Sequence, residues 1–425
     1  MKKNLGNISI IVLVVLTILV WFVFPPENDG RSNFTRQYAG EIIGSINIVL
    51  MASALFLAAR PKWAEPFFGG LDKMYVTHRR VATTTFLLIF AHVLTVPISA
   101  HWVLGNYLAV IAFTGIVALV LISLAPRIPF LNSLTGGTYE GWKNLKRFIG
   151  IFFIIAYIHA LTIDDPLHAF IAINWVQIFF IIGAVSYLYT EVFGRFFKKY
   201  VPYKVEEIDH PNSITTEVVL RATGNPIEKQ RAGQFLFVRF PNTATLNESH
   251  PFTISSAPHE DVLRLTIKAS GDFTRALHTD LKTGTDAIID GAYGMFDYKA
   301  GGPKQIWIAG GIGLTPFLAF IRDIGETLDR DVTFYYTIRH RDEALFYNEL
   351  VAAGMKHPRL KLHIRFSATS GSLTFDEIVR NANGDVSKYD IYMCGPFAMV
   401  QSFEKKFLSA NVPASNIHFE EFNFR

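Results

Sequence analysis

Thr77-His78-Arg79-Arg80-Val81-Ala82-Thr83-Thr84-Thr85-Phe86-Leu87-Leu88-Ile89-Phe90-Ala91-His92-Val93 sets two histidines fourteen residues apart in a run that turns apolar toward its end. Fourteen residues are close to four helical turns, so in a helix both imidazoles face one way, about 21 Å apart at roughly 1.5 Å rise per residue. The spacing reads as two levels of ligands on one helix face. A second apolar run, Phe152-Phe153-Ile154-Ile155-Ala156-Tyr157-Ile158-His159-Ala160-Leu161, supplies His159. Ionisable side chains at membrane depth are costly and mark function by default. The plainer alternative is three histidines hydrogen-bonded inside a helical bundle.

The surrounding composition agrees with a membrane setting. At 425 residues, 50% hydrophobic and with positive mean hydropathy, the chain is too apolar for an ordinary soluble protein and long enough for two or three domains. The excess lies before about residue 195. Spanning a bilayer takes about 20 apolar residues, and six stretches qualify, near 8–24, 37–59, 77–98, 104–124, 148–163 and 170–191. The fifth is short and borrows Leu145 to Arg147. Lys2 and Lys3 precede the first stretch without a small-residue cleavage site, so it is expected to be a retained helix. Lys and Arg crowd one set of loops (Arg60, Lys62, Lys73, Arg79, Arg80, Arg127, Lys143, Lys146, Arg147, Arg195, Lys198, Lys199), whereas Arg31 and Arg36 share the other with Glu27, Asp29, Asp164 and Asp165. Both termini are therefore expected in the cytoplasm. The net charge of +4 is mostly this topology signal. No basic patch interleaved with aromatics suggests nucleic acid. A single cysteine, Cys394, excludes an intramolecular disulfide, and no Cys-x-x-Cys cluster offers a zinc or iron–sulfur site.

Beyond Tyr200 the pattern changes to short alternating runs such as Thr215–Leu220, Gln234–Arg239 and Leu263–Ile267, which predict a small antiparallel barrel over about 203–299. From Gln305 buried-strand runs (306–309, 332–336, 360–364, 390–393) alternate with helical stretches near 315–328, 343–355, 375–381 and 396–409. That alternation describes a doubly wound parallel sheet. The expected fold class is a multi-domain membrane protein: a six-span α-helical bundle over 1–195, an antiparallel β-barrel over 196–300 and an α/β doubly wound domain over 301–425.

The barrel carries His250-Pro251-Phe252-Thr253-Ile254-Ser255-Ser256, then Lys268-Ala269-Ser270-Gly271-Asp272-Phe273-Thr274, then Gly291-Ala292-Tyr293-Gly294. Singly, each is no more than a strand end with a glycine turn. In this order they suit a flavin: Thr253 offers a hydroxyl to the isoalloxazine edge, and the turn opening a helix at Phe273 and Thr274 presents N–H groups to a pyrophosphate. In the sheet, Ala309-Gly310-Gly311-Ile312-Gly313-Leu314-Thr315-Pro316 is strand, glycine turn and helix start, with Pro316 suited to the first helical turn. Cys394-Gly395-Pro396 ends a later strand and puts a small thiol where a nicotinamide would lie, unless Cys394 is an inert core residue. Arg339 and Arg341, with His340, precede Asp342 where an acidic residue would favour a free ribose hydroxyl. These cations suit a 2′-phosphate and hence NADPH, the alternative being two solvated loop arginines.

The ordered set His250-Pro251-Phe252-Thr253, Gly291-Ala292-Tyr293-Gly294, Ala309 to Pro316 and Cys394-Gly395-Pro396 resembles the ferredoxin-reductase-type dehydrogenase module of the NADPH oxidase and ferric reductase family. The six helices with His78, His92 and His159 resemble that family's haem-bearing transmembrane domain, and the nearest likeness is to its compact prokaryotic NADPH oxidases. The resemblance implies FAD, a nicotinamide dinucleotide and b-type haem, two expected, with haem iron on His78, His92 and His159. It also implies a terminal aromatic covering the flavin, for which Phe424 is the candidate. Thr253, Cys394 and Phe424 are then the catalytic candidates. The family pattern has two histidines on the third helix and two on the fifth. This chain has Lys146, thirteen residues before His159, where the fourth histidine is expected. His92 and His159 would hold the outer haem, leaving His78 and either a neutral Lys146 or an open position for the inner one.

The expected activity is transmembrane electron transfer from NADPH through FAD and haem to O2, giving superoxide or H2O2, in the plasma membrane of a prokaryote. Glu41 and Arg36 would shape the exit site unless they only anchor the interface. A ferric chelate is the alternative acceptor; oxygen is favoured because the cytoplasmic half looks oxidase-like and no outer loop is large enough to make an obvious chelate-binding surface. A transporter moving protons or metal ions on its histidines is the rival from another class, and it leaves the flavin motif idle. Partners are expected to be NAD(P)H, the acceptor and lipid, with no nucleic acid and no obligatory protein.

Overall fold

The computed structural model describes residues 4–97, 101–124, 146–163, 169–194, 200–227 and 230–420. Two compact units emerge, one over Lys2–Gly69 and Lys73–Phe197, the other chiefly over Lys198–Arg425.

The first unit is helical: α1 Leu5–Val23, α2 Phe34–Ala58, α3 Leu71–Thr95, α4 Leu104–Leu124, α5 Ile149–Thr162 and α6 Phe170–Leu188. Among the described residues four helices are long and apolar enough to cross a membrane: α1, α2, α4, and α6 with its π-helical extension to Phe193. Helix α3 is 25 residues long but carries Asp72, Lys73, Arg79 and Arg80. Helix α5 has 14 residues and follows a 3-10 turn, Lys146–Phe148. Polar side chains join the helices where hydrocarbon would leave them unsatisfied. Trp21 Nε1 donates to Ser45 Oγ at 2.9 Å and Trp175 Nε1 to Thr17 Oγ1 at 3.0 Å. Val49, Ala52, Phe153 and Tyr157 pack the centre, while Ile11, Phe22 and Val185 stay exposed on outer faces as lipid contact requires.

The second unit begins with β1 Val201–Asn212, β2 Thr215–Ala222, β3 Phe235–Arg239, β4 His250–Thr253, β5 Val262–Lys268 and β6 Asp286–Tyr293. These make one antiparallel sheet in the order β4-β3-β6-β1-β2-β5. A single antiparallel bridge, Ile254 to Leu265, links the two ends of that order. Alternate residues such as Val218, Leu220, Leu236, Val238, Leu263 and Leu265 fill its core. Helix α7, Asp272–Asp280, lies between β5 and β6.

The remainder is parallel throughout: β7 Lys304–Gly310, β8 Asp331–Ile338, β9 Leu360–Phe366, β10 Asp390–Cys394 and β11 Ile417–Phe419, ordered β11-β10-β7-β8-β9. Helices α8 Thr315–Asp323, α9 Tyr347–Lys356, α10 Phe375–Asn381 and α11 Phe397–Ser409 alternate with the strands. Both sheet faces are covered, as parallel sheets require. Trp307 and Ala309 enter one core with Phe317, Phe320 and Phe334, whereas Ile306 and Ile308 enter another with Phe403 and Phe407. Two helices are shorter than the sequence predicts: α8 stops at Asp323 because Gly325 follows, and α9 starts only after Phe346, which takes a left-handed φ of 52°.

Candidate functional site

In the helical unit each of the three histidines is fixed in the same way. His78 Nδ1 donates to the Ala54 carbonyl, His92 Nδ1 to the Gly40 carbonyl and His159 Nδ1 to the Gly105 carbonyl, each at 2.9 Å. A carbonyl oxygen can only accept, so Nδ1 carries the proton and Nε2 is left with its lone pair, the tautomer a metal-ligating imidazole needs. Gly40 and Ala54 are themselves fourteen residues apart on α2, so the ladder on α3 is matched by a ladder of acceptors beside it.

Two further observations fit a flat prosthetic group. A Cβ on Gly44 would come within 3.1 Å of the His92 ring, so the backbone lies against the imidazole. Asn47, on the same stripe of α2, is buried with its Oδ1 lacking a hydrogen-bond partner among the described residues. Lys146 falls in the 3-10 turn before α5, and its side chain lies outside the described residues. Arg36 Nε and Nη2 donate to the Thr95 and Leu94 carbonyls at 2.6 and 3.0 Å, capping α3, and Glu41 accepts from Gln37.

In the other unit β4 ends on Thr253, 5% exposed. The His250 ring lies 3.9 Å from that of Phe273, Phe252 is stacked beyond it, and His250 Nε2 donates to Glu248 at 3.3 Å. This joins the strand holding Pro251 to the opening of α7. There the Thr274 hydroxyl accepts from the Ser270 and Gly271 N–H groups at 2.9 Å each, which fixes the turn. Lys268 is exposed at the end of β5. Ser255 and Ser256 are buried and bonded within the sheet, Ser255 to Thr266 and Ser256 to the Arg264 N–H. Gly291 pairs with Leu236, and the Gly294 carbonyl accepts from Gln234.

The parallel sheet brings its two glycine turns together. A Cβ on Gly313 would sit 2.4 Å from the Cys394 carbonyl, and Gly395 holds a φ of 154°, so the ends of β7 and β10 can approach only as glycine. Gly310 and Gly311 precede Gly313, Thr315 and Pro316 open α8, and Pro396 opens α11 beside them. Arg339 and Arg341 are exposed beyond β8, with Arg341 over the Tyr347 ring at 5.5 Å. Cys394 is fully buried, and burial pushes its thiol up. The charge of Glu420 adds to that rise.

Glu420 is the residue that sequence reasoning missed. Burial pushes its carboxyl well up, with the Thr253 side chain pulling the other way, and neither oxygen completes a hydrogen bond among the described residues. Glu420 thus lies near enough to interact with both Thr253 and Cys394. An orphaned carboxyl beside a buried hydroxyl fits a flavin edge. The signal lay in Ile417-His418-Phe419-Glu420, an acid closing an apolar run. Phe424 lies outside the described residues.

Comparisons with known proteins match this division. The ferric reductase like transmembrane component family matches residues 43–157, an FAD-binding domain family residues 203–305 and an oxidoreductase NAD-binding domain family residues 307–405. A flavohemoprotein of Xylella fastidiosa is 27% identical over 228 residues, covering 51% of this chain and 57% of that protein. NADPH oxidase 1 of Mus musculus is 28% identical over 191 residues, 40% of this chain and 30% of its own length. The chain thus spans 57% of the first of these relatives and 30% of the second. Among solved structures, the FAD/NAD-binding domain of a nitric oxide dioxygenase from Vibrio cholerae aligns at 21% identity and a TM-score of 0.47, over 52% of this chain and 98% of that one.

Fold and site define an NAD(P)H-dependent oxidoreductase module that takes FAD. Residues 43–157 resemble a ferric-reductase-like transmembrane component ahead of that module, and the likeness to ferric-reductase-like and flavohemoprotein sequences implies haem.

Proposed function

We propose that the chain is a six-span transmembrane NADPH oxidase, with both termini in the cytoplasm of a prokaryote, carrying electrons outward to O2 to give superoxide or H2O2. In this reading residues 1–195 form the haem domain, 196–300 a closed FAD-binding barrel and 301–425 the NADPH-binding domain. The observation that carries it is the set of three imidazoles, each with Nδ1–H spent on a backbone carbonyl, in a chain that also holds an FAD and NAD(P)H module.

When bound, FAD takes electrons in pairs and haem iron takes them singly, so the flavin is where the pair is divided. The chain's own residues place and tune these groups. His92 and His159 would hold an outer haem iron and His78 an inner one, with Lys146 or an open position completing the inner site. His250 to Thr253, Ser255, Ser256, Lys268, Gly271, Phe273, Thr274, Gly291 and Gly294 form the flavin bed, in which Thr253 orients the ring edge and Phe424 covers it. Gly310, Gly311, Gly313, Thr315, Pro316, Gly395 and Pro396 bind the dinucleotide, with Arg339 and Arg341 on its 2′-phosphate. Cys394 stays protonated and shapes the wall against which nicotinamide lies, rather than acting as a nucleophile. Glu420, whose carboxyl burial pushes up, lies beside Thr253 in that bed.

The second reading, a ferric chelate as acceptor, is favoured by the match over residues 43–157. NADPH-driven superoxide formation by the purified chain, unaffected by ferric chelators and without iron reduction, supports the oxidase. Iron reduction that suppresses superoxide establishes the reductase instead.

A further inference from the structure

We propose that Arg322 is the positioning residue that sets the dinucleotide-binding half of the module against the flavin-binding half. The inference rests on the reading that a dinucleotide docks at residues 310–316 and a flavin at Thr253. Arg322 lies at the end of α8, the helix whose first turn follows those glycines. Its Nη1 donates to the Ser255 carbonyl at 3.0 Å and to Glu217 Oε1 at 3.2 Å, while Nε and Nη2 donate to the two oxygens of Glu349 at 2.7 and 3.0 Å. One guanidinium therefore holds β2, the chain leaving β4 and the helix α9.

Ser255 stands two residues beyond Thr253, so Arg322 grips the flavin strand by its backbone. Arg264 of β5 meets the other oxygen of Glu217 at 3.5 Å and is itself fixed by Glu260 at 2.9 Å. The side chains of Glu217 and Arg322 are only 7% and 14% exposed. Apolar packing between domains tolerates sliding, whereas a planar fork bonded to two carboxylates and a carbonyl does not. The nine-residue α8 is stiff, so displacement at Arg322 is carried to the glycine turn at its other end.

The step served moves a hydride, two electrons with one proton, from C4 of the reduced nicotinamide to the flavin, and the dinucleotide leaves oxidised. Reacting atoms must approach within about 3–3.5 Å, and a displacement of about 1 Å costs on the order of 100-fold in rate. A clamp remote from both rings is therefore expected to govern rate more than affinity.

The test uses the full chain with FAD, mixed anaerobically with NADPH while flavin bleaching is followed. Arg322→Met is expected to slow bleaching at saturating NADPH by at least about tenfold, with half-saturation changed by less than about threefold. The isotope effect with NADPH deuterated at C4 should rise, and Arg322→Lys should restore part of the rate. If Arg322→Met loses FAD, Glu349→Ala decides, since it removes only the half-buried arm on α9; slowing by about threefold or more with unchanged affinity supports the clamp. Bleaching within about twofold of the parent in the variants that retain FAD overturns it, as does a rate loss matched by lost NADPH affinity with an unaltered isotope effect. Failure of NADPH to bleach the parent protein would instead remove the underlying reading.

Discussion

Burial pushes the Glu420 carboxyl well above the usual carboxylate range, so in the folded module this group binds its proton more tightly than in the unfolded chain. The sign follows from linkage: below the ordinary carboxylate range both states are protonated and nothing is lost, and stability falls as pH rises toward the elevated value. Glu420→Gln removes that dependence, so its melting temperature should exceed the parent's by a margin that grows between about pH 5 and pH 8. A constant margin would show that the carboxyl is already charged. Arg339 and Arg341 support a second prediction. Charge-assisted bonds to a phosphate contribute roughly 1.5–3 kcal/mol each, about 3–6 kcal/mol for the pair, so the double alanine variant should raise the KM for NADPH by at least about 100-fold and leave NADH unchanged. Equal effects on both dinucleotides would place the 2′-phosphate elsewhere. At this scale the sequence singled out His78, His92 and His159, and the structure fixes each of their Nδ1 atoms on a backbone carbonyl. The sequence was silent on Glu420, because a lone acid near a chain end acquires meaning only when β11 brings it under Thr253. Ser255 and Ser256 are flavin candidates in sequence, and in the structure their hydroxyls are bonded within the sheet.

Elements were legible wherever period and punctuation agreed. Strands β7 to β10 stand where the buried apolar runs lie, and their parallel pairing follows from helices intervening between them. The ends of α8 and α9 were less legible, since Gly325 and the left-handed Phe346 shorten helices that apolar spacing alone would extend. In the sheet-end crossing the glycines are dictated by contact. Gly313→Ala would place a methyl 2.4 Å from the Cys394 carbonyl, closer than any real contact allows. Overpacking of this kind costs about 1–3 kcal/mol. A lowered melting temperature and weakened NADPH binding with retained FAD are expected in detergent solution, and unchanged binding would show that the two turns can part without harm. Helix α3 is the opposite case. Its period-fourteen ladder was plain, but its charges keep it from standing out by apolarity, and only the carbonyls of Gly40 and Ala54 show why those histidines hold one orientation.

For the whole molecule, the order of parts was written in composition: apolar runs to about residue 195, alternating strands, then strands alternating with helices. What composition could not supply is the count of haems, because Lys146, in the 3-10 turn before α5, stands where a second histidine for the inner site is expected. The account stands or falls on iron held by those imidazoles. The most direct measurement is pyridine-haemochrome absorbance against FAD content on the full chain, purified after expression with haem freely supplied. Two haems per flavin are expected, with the spectrum of iron bound by two nitrogen ligands, and one per flavin would remove only the inner site. A preparation that retains FAD but shows no Soret band would contradict the central claim.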